Sequence, residues 1–246
     1  MTGAVGDSIK ERTTARFLLG RRRDRLSQTD LDRLDAACEG IKELPARKVV
    51  VRAGERVTHS TLLLDGFMCR YMDDRSGHRQ LVSLHVPGDF VDLHGFPMER
   101  LDHDVATISA CRVATWTHDA LEELIGERPM LRRMLWFATL LDAAMHREWI
   151  FRLGRLDAEG RIAHLMCEME YRLDMVGLAT DGRFSLPLKQ SDLAEASGLT
   201  GVHVNRVLKS LRQRELLLFR GGEAAILDRQ RLRALGEFDP AYLYGE

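Results

Sequence analysis

The stretch KQSDLAEASGLTGVHVNRVLKSLRQREL, Lys189 to Leu216, decides how the C-terminal part of the chain folds. Its pattern predicts a short helix, a break at Gly198 and a longer helix from about Thr200. The apolar positions of the second helix recur at spacings of three and four, so they predict one buried stripe. These positions are Val204, Val207, Leu208 and Leu211. The opposite face carries His203, Asn205, Arg206, Lys209 and Arg212.

The same stretch matches a helix-turn-helix unit that begins at Gln190. Ala194 stands where the helices cross and the side chain must be small, and Gly198 permits a left-handed turn. Ser197 departs from the pattern, because an apolar residue is usual at its position. The space between the helices is filled by Leu193, Leu199, Val204 and Val207. Such a pair projects its second helix into a DNA major groove.

The local charge supports a DNA-binding role. Residues 189 to 220 hold six Lys or Arg and three Asp or Glu, a local balance of +3, although the formal net charge of the chain is −1. A basic patch of this kind favours contact with phosphates. The alternative is a helix pair that serves only for packing.

The bulk composition describes an ordinary globular chain. Its 246 residues are 45% hydrophobic and 30% charged, enough for one large domain or two small ones. There is no run of about 18 apolar residues and no apolar signal core, so we expect a cytoplasmic protein that does not bind membranes. No CxxC pair is present, and we expect reduced, buried cysteines. They are Cys38, Cys69, Cys111 and Cys167.

Residues 47 to 116 alternate short apolar runs with turn signals. The runs are KVVVRA, TLLLDG, FMCRYM, QLVSLHV, VATISA and CRVATW, which predict an antiparallel jelly roll with a hairpin around Asp73–His78. Residues 1 to 44 are charged and partly helical, with Thr29 or Asp30 as the predicted cap of a helix. The run Arg21–Arg25 is interpreted as a solvated face, with a nucleic-acid arm as the alternative.

A long helix follows the roll. From Met130 to Leu153 there is no Pro or Gly, and Gly154 is the predicted hinge to the next helix. One apolar stripe predicts a coiled-coil-like dimer seam. Its residues are Leu131, Met134, Ala138, Leu141, Met145 and Trp149. Because adjoining faces are also apolar, we expect one face on the roll and the other on a second chain. The alternative is a helix wholly buried within one chain.

The remaining C-terminal sequence predicts a wing and a closing helix. LLLFRGGEAAILD indicates two strands around a Gly221-Gly222 turn, and DRQRLRALGEF a helix capped by Asp228. The predicted fold is therefore α+β. Residues 1–126 form an antiparallel β jelly roll, 127–153 a dimerisation helix, and 154–246 a winged helix-turn-helix domain.

The motifs resemble one known family. LKQSDLAEASGLTGVHVNRVLKSLR is similar to the helix-turn-helix of the Crp/Fnr superfamily of bacterial transcription regulators. VPGDFVDLHGF followed by DHDVATISACRVATW resembles the second half of that family's cyclic-nucleotide-binding-type roll, and the long helix falls at its dimerisation helix. The resemblance implies a homodimer that reads palindromic double-stranded DNA, with half-sites roughly 34 Å apart. RNA polymerase is a further candidate partner.

The resemblance also implies DNA-binding residues. Arg206 falls where the family reads a guanine edge, and a guanidinium can bond its O6 and N7 together. Val202 replaces a common base-reading glutamate, so the half-site should differ there, and valine could contact a thymine methyl. Phosphate contacts are expected at the helix starts. They come from Lys189, Gln190 and Thr200. Bases or phosphates are within reach of His203, Asn205 and Lys209.

The roll departs from the cyclic-AMP pattern of the family. Members that bind cyclic AMP hold its phosphate with a Gly-Glu turn and an arginine before a small hydroxyl residue. This chain has Gly88-Asp89-Phe90 at the turn and Asp102-His103-Asp104-Val105 in place of the arginine. Aspartates would repel the phosphodiester, so cyclic AMP is not the expected effector. No iron–sulfur cluster is expected either, because an N-terminal cysteine cluster is missing.

Other functions were weighed against this interpretation. His85, His94 and His103, with nearby aspartates, could bind zinc or haem, but their spacing matches no compact metal signature. They are otherwise ordinary turn and surface histidines, and no metal site is predicted. A metal- or haem-dependent sensor and a constitutive regulator without effector are the alternatives. A nucleophilic Cys69 or Cys111, or a cupin-like enzyme, is disfavoured by the helix-turn-helix and wing.

Overall fold

The structure is a computed structural model that describes residues 12–245. Turns over residues 13–22 bring Phe17 and Leu18 into an apolar cluster. Arg21, predicted to lie on a solvated face, is only 7% exposed, so that interpretation is wrong for this residue. It is buried because the turns fold back onto the roll and α-helical parts of the chain, which its position in a charged run does not indicate.

Helix α1 (Gln28–Ala36) begins with a capping box. The Ser27 hydroxyl accepts a hydrogen bond from the backbone N–H of Asp30 (3.1 Å), and the Asp30 carboxylate accepts one from Ser27 N–H (2.9 Å). The cap is therefore Ser27, whereas the sequence predicted Thr29 or Asp30. Asp30 contributes to the box from inside the first turn.

Antiparallel strands and a short helix form the roll. In chain order they are β1 (Gly40–Leu44), β2 (Val49–Val51), β3 (His59–Asp65), β4 (Met68–Asp73), β5 (Arg79–His85), α2 (Gly95–Met98), β6 (Asp104–Thr107) and β7 (Cys111–Thr117). One sheet has the strand order β1-β7-β3 and the other β2-β6-β4-β5. The predicted antiparallel roll is confirmed.

The β4–β5 hairpin is also confirmed, and its turn is closed by a hydrogen bond from Gly77 N–H to the Asp74 carbonyl (3.0 Å). Strand β1 was missed, because its residues were assigned to the helical N-terminal part. It pairs with β7 from Gly40↔Thr115 to Leu44↔Cys111. Most of its side chains are exposed, so no alternating burial pattern marks it in the sequence.

Helices follow the roll. Helix α3 (His118–Glu127) is capped by Thr117, and α4 (Pro129–Arg155) has proline in its first turn. Helix α5 (Ala158–Met175) begins at its cap, Asp157. Helix α4 continues through Gly154, so the predicted hinge at that residue is wrong. The chain breaks instead at Leu156, which has an extended backbone with ψ 149°.

The C-terminal part is a winged helix-turn-helix. Its elements are β8 (Ala179–Thr180), β9 (Arg183–Ser185), α6 (Gln190–Ser197), α7 (Gly201–Gln213), β10 (Leu217–Arg220), β11 (Glu223–Ile226) and α8 (Arg229–Leu235). The predicted wing, β10 and β11 around Gly221-Gly222, is present within a sheet of order β10-β11-β9-β8. Asp228 caps α8 as predicted. Strands β8 and β9 were not predicted, because they are only two and three residues long.

One apolar cluster connects the roll to the DNA-binding part. It contains Tyr71 and Leu81 of the roll, Trp149 of α4, Met166 of α5 and Val204 of α7. Burial of this cluster fixes how the two parts pack on each other. Across residues 12–245, no helix combines the length and apolar character needed to cross a bilayer.

Candidate DNA interface and its connection to the roll

Helices α6 and α7 pack closely around Ala194, which is 8% exposed. Gly198 ends α6 with a φ of 60°, and the next N–H, that of Leu199, donates to the Ala194 carbonyl (3.0 Å). Ser197 is fully buried at the position where an apolar residue is usual, and its hydroxyl has no hydrogen-bond partner among residues 12–245. The pair therefore has the compact crossing that the sequence predicts.

The side chains predicted to contact DNA all lie on the exposed surface of this pair. They are Lys189, Gln190, Thr200, Val202, His203, Asn205, Arg206 and Lys209. Val202 is 74% exposed, although exposure of an apolar side chain to water does not stabilise the fold. Within the described chain, none of these residues forms an ion pair. The surface thus leaves its cations available, and contact with DNA stays a prediction.

A side chain caps the first turn of each helix. Thr200 caps α7, since its hydroxyl accepts a hydrogen bond from His203 N–H (3.3 Å). Asp192 accepts the Lys189 N–H (2.6 Å) at the start of α6. The other first-turn N–H groups point along the helix axis, where an oxyanion can accept from them.

The wing extends this surface. A groove is lined by Lys189 and Gln190 at the start of α6 and by Phe219, Arg220 and Gly222 of the wing. Arg220 was counted in the basic balance but was not assigned to DNA. Only the folding of β10 onto β11 brings it beside α6, so the sequence holds no local signal for this placement.

The C-terminal end of α6 is held by arginines from α4 and α5. Arg152 donates to the Ala196 carbonyl (2.8 Å), and Arg161 to the Ser197 carbonyl (3.2 Å). These contacts satisfy carbonyls that a helix end leaves without a partner. Arg152 is fully buried with its guanidinium 4.3 Å from the Trp149 ring centre. Burial lowers the pKa of Arg152 to about 10. The last turns of α4 therefore position the helix-turn-helix.

A second contact joins the roll directly to α6. Arg47, between β1 and β2, binds both carboxylate oxygens of Asp192 (2.5 and 2.7 Å). The hydrogen bond to Asp192 raises the pKa of Arg47, and burial opposes this shift. Asp192 is 4% exposed and holds the first turn of α6, so a shift of the roll would be transmitted to the start of the helix-turn-helix.

A buried ion network, defined by Asp89, Glu168 and Arg172, links the roll to α5. Arg172 donates to Glu168 (3.0 Å), to Asp89 (2.6 Å) and to the Leu84 carbonyl (2.9 Å). Glu168 also accepts from Trp149 (3.1 Å). Burial would raise the pKa of Asp89, but Arg172 and then His85 outweigh it and hold the pKa well below its ordinary value.

The residues predicted to form the dimer seam of α4 lie mostly inside the single chain. Five of its six residues are buried inside the single chain, and the sixth, Ala138, is half-buried. The buried residues are Leu131, Met134, Leu141, Met145 and Trp149. The most exposed apolar residues of the helix are Trp136 (66%), Leu140 (52%) and Ile150 (72%). Because α4 is apolar on several faces, periodicity alone did not show which stripe the roll covers.

At the roll positions that differ from the cyclic-AMP pattern, each aspartate has a hydrogen-bond partner of its own. Asp89 binds Arg172, Asp102 lies 2.7 Å from His103 Nδ1, and Asp104 accepts the Ala53 N–H (2.6 Å). Residues 102–105, at the place of the arginine in that pattern, are Asp-His-Asp-Val.

His85 and His103 are not surface residues, so that interpretation is wrong for these two, whereas His94 lies half-buried in a turn. His85 is 1% and His103 8% exposed, and His94 packs its ring 5.1 Å from that of His103. Burial, and secondly Arg70, lower the pKa of His85 to about 4 and of His94 to about 3. In residues 12–245, no three His, Cys, Asp or Glu side chains are grouped closely enough to hold a metal ion.

Family models match both halves of the chain. The model of the cyclic nucleotide-binding domain matches residues 41–128, and that of the Crp-like helix-turn-helix domain matches residues 160–235. These two ranges coincide with the roll and with the part that contains α5 to α8. They leave most of α4 between them.

Relatives and solved structures agree with these matches. The anaerobic regulatory protein of Aggregatibacter actinomycetemcomitans is 25% identical over 196 residues, 80% of this chain and 76% of that protein. The transcriptional activator protein Anr of Pseudomonas protegens is 25% identical over 210 residues, 85% and 86% of the two chains. The structure of FixK2 from Bradyrhizobium japonicum has a TM-score of 0.73 and 25% identity, and covers 80% of this chain and 96% of that one. With its roll, long helix and exposed helix-turn-helix, the chain belongs to the Crp/Fnr superfamily of DNA-binding transcription regulators.

Proposed function

We propose that the protein works as a homodimer that reads a palindromic DNA site with helix α7 of each subunit. The observation that carries this proposal is the outer face of α7, where Arg206 is exposed and forms no ion pair with the described residues. A guanidinium presented in this way can bind O6 and N7 of guanine together. Val202 beside it offers an apolar contact for a thymine methyl.

The dimer is supported by the outer face of α4. Trp136, Leu140, Ala143, Arg147 and Ile150 follow alternating steps of four and three, which is the spacing of a coiled-coil seam. The large apolar members of this stripe are exposed in the single chain. A two-fold axis along α4 would pair the stripe with its copy and bring two α7 helices to one face.

The roll is proposed to bind an effector other than cyclic AMP. Asp89 and Asp104 occupy the relevant positions, and the arginine that would balance a cyclic phosphate is absent from the matching sequence. We also propose that the DNA-bound dimer contacts RNA polymerase and that the protein works in the cytoplasm, where the chromosome is accessible. Both statements rest on its membership in a family of transcription regulators.

Enzymatic activity is not part of the proposal. The thiolate is the nucleophilic form of cysteine, and burial raises the pKa of Cys69 to about 12 and also raises that of Cys111. Cys111 donates to the Phe67 carbonyl (3.2 Å). Turnover of an ester substrate that is abolished by Cys111→Ser, with the fold intact, would contradict this view.

Selection from a random duplex library tests DNA recognition. We expect enrichment of an inverted repeat whose half-site centres lie about 10–10.5 base pairs apart, because two α7 helices enter successive major grooves. Enrichment of a single unrepeated site, or of no sequence, would overturn the palindrome.

Sedimentation equilibrium tests the dimer seam. Ile150→Glu places a carboxylate on the proposed two-fold axis and should convert the dimer to a monomer. The matched control is Ile41→Glu on the exposed edge strand β1, where Ile41 is 48% exposed, and it should leave the dimer intact. A dimer that survives Ile150→Glu would place the subunit contact elsewhere.

A further inference from the structure

A cavity lies where the N-terminal turns, the end of β5, α4 and α5 meet. Its wall includes Arg21, His85, Asp89, Asp142 and Arg172. The volume open to the centres of water molecules is about 40 Å³, and one water needs about 10–15 Å³. The cavity therefore has room for a few waters or for one small ion, and not for a nucleotide.

The cavity adjoins a larger groove between the roll and the outer part of α4. That groove is lined by Met72, His103, His146 and Ile150. Four residues contribute to both walls: Arg70, His94, Thr139 and Asp142. The N-terminal turns and Arg172 line only the cavity, so a ligand there would contact parts of the chain that the groove does not reach.

Arg21 has donors without acceptors in this cavity. Its side chain is buried, and its closest carboxylate contact is 3.7 Å, from Nη1 to Asp89. The buried Nε and Nη2 atoms have no hydrogen-bond acceptor among residues 12–245. A buried guanidinium normally has an acceptor for each of its N–H groups. The edge of Arg21 that lacks acceptors is therefore the side on which a ligand would accept hydrogen bonds. Burial also lowers the pKa of Arg21 to about 10.

One more donor at the cavity lacks an acceptor. Arg172 Nε is buried and has no hydrogen-bond partner in the described chain. The buried His85 Nδ1, 3.8 Å from Asp89 Oδ2, also has no hydrogen-bond partner there. The carboxylates of the wall are already engaged, because Asp89 accepts from Arg172 (2.6 Å) and Asp142 from Arg70 (2.5 Å). The unused hydrogen-bonding capacity is therefore mostly that of donors, with one unpartnered acceptor, Asp142 Oδ1.

We propose that this cavity binds one small oxyanion, such as phosphate, nitrate or a short carboxylate. Nε and Nη2 lie on the same edge of the Arg21 guanidinium, and two oxygens of an oxyanion accept from them side by side. The ligand supplies acceptors for the Nε and Nη2 edge of Arg21 and joins the N-terminal turns to the roll and to α5.

Binding of the oxyanion at this site would also affect the DNA-binding part through a chain of contacts. Arg172 binds Glu168, which accepts from Trp149, and Trp149 packs on Arg152. Arg152 in turn holds the end of α6. This coupling to DNA affinity rests on the proposed function, whereas oxyanion binding itself does not. Binding is therefore measured without DNA.

Thermal unfolding of the full chain tests the site. The protein is exchanged into chloride buffer and titrated with inorganic phosphate, nitrate or acetate at constant ionic strength. At least one oxyanion should raise Tm saturably, by roughly 5–10 °C at about 100 times Kd. Arg21→Gln should abolish this rise. Arg75→Gln, at the exposed tip of the β4–β5 hairpin, should keep it.

Arg21→Lys covers the case in which Arg21→Gln does not fold. Lysine keeps the charge but loses the two-donor edge, so calorimetric titration should give an affinity at least about tenfold weaker. A wild-type Tm that responds to the three oxyanions no more than to chloride would overturn the proposal. An unchanged response in the Arg21 variants would do so as well, because the ion would then bind elsewhere.

Discussion

Arg172 on α5 and Arg206 on α7 carry the same guanidinium group in opposite surroundings. Arg172 is 1% exposed and binds two carboxylates and a backbone carbonyl. Arg206 is exposed and makes no ion pair with the described residues. The first arginine is committed to the contact between roll and DNA-binding part, and the second is available to a ligand.

The difference shows how one residue type serves the fold and the function within one chain. A buried guanidinium is retained because the carboxylates around it would be left uncompensated without it. A surface guanidinium adds little to stability, so its position on α7 is free to serve DNA. Residue type alone therefore says nothing about role, and burial decides between the two.

The largest expected effect follows from removing the buried charge. Arg172→Met removes the guanidinium that donates to both Asp89 and Glu168 in the interior, and should lower the free energy of unfolding by about 3–5 kcal/mol. Arg206→Met is the matched substitution on the surface, and should change it by no more than about 0.5 kcal/mol. Urea unfolding at pH 7 and a fixed protein concentration measures both.

Comparable losses of unfolding free energy in these two variants would contradict the comparison, because burial would then not explain the different roles of the two arginines. Unfolding should be followed both by tryptophan fluorescence and by circular dichroism. Coincident transitions establish that one free energy describes each variant.

Histidines extend the comparison to pH. Burial and then Arg70 lower the pKa of His85 to about 4, so the folded chain holds it neutral while the unfolded chain protonates it below about 6.5. The unfolding free energy should therefore fall as pH falls from about 6.5 to 4, by up to about 1.4 kcal/mol per pH unit for this group. His85→Gln should show a shallower fall in urea unfolding over this window. An equal slope in both proteins would contradict the assignment.

A smaller effect is expected at the DNA surface. Arg206→Ala should weaken binding to the selected site by about 1–3 kcal/mol and relax the preference at one base pair. Lys209→Ala is the control for a phosphate contact, and should weaken all sequences alike and reduce the salt slope by about one. Fluorescence anisotropy at several salt concentrations separates these patterns. Unaltered base preference in Arg206→Ala would remove Arg206 from readout.

The smallest effect concerns the cap of α7. Thr200→Ala removes the hydroxyl that accepts from His203 N–H, and should cost about 1 kcal/mol of unfolding free energy. Thr200→Ser keeps the hydroxyl and should stay near wild type. Equal losses in the two variants would mean that the methyl group and not the hydrogen bond matters.

Local patterns predicted the elements whose causes are local. The turn at Gly198, the buried stripe with Val204, the β4–β5 hairpin and the Asp228 cap are each encoded within a few neighbouring residues, and each is present. The exposed strand β1 was not predicted, because its pairing partner β7 is distant in sequence, and β8 and β9 were not predicted, because they are only two and three residues long.

The candidate site divides in the same way. The exposed side chains of α6 and α7 could be named from helical spacing and from the family resemblance, whereas Arg220 reaches that surface only through the wing. The predicted dimer stripe of α4 includes Leu141 and leaves out Ile150, although both are apolar. Only the packing of the roll shows that the first is buried and the second exposed.

The amino-acid sequence alone predicts the family, the order of roll, long helix and winged helix-turn-helix along the chain, and the departure from the cyclic-AMP pattern. Each depends on composition, spacing or short motifs. Only the folded chain shows that Arg21 is buried, that Arg172 pairs with Asp89 and that Arg152 donates to the Ala196 carbonyl at the end of α6. These contacts join residues far apart in sequence, and their charges are stable inside the protein only because tertiary packing brings their partners within hydrogen-bonding distance.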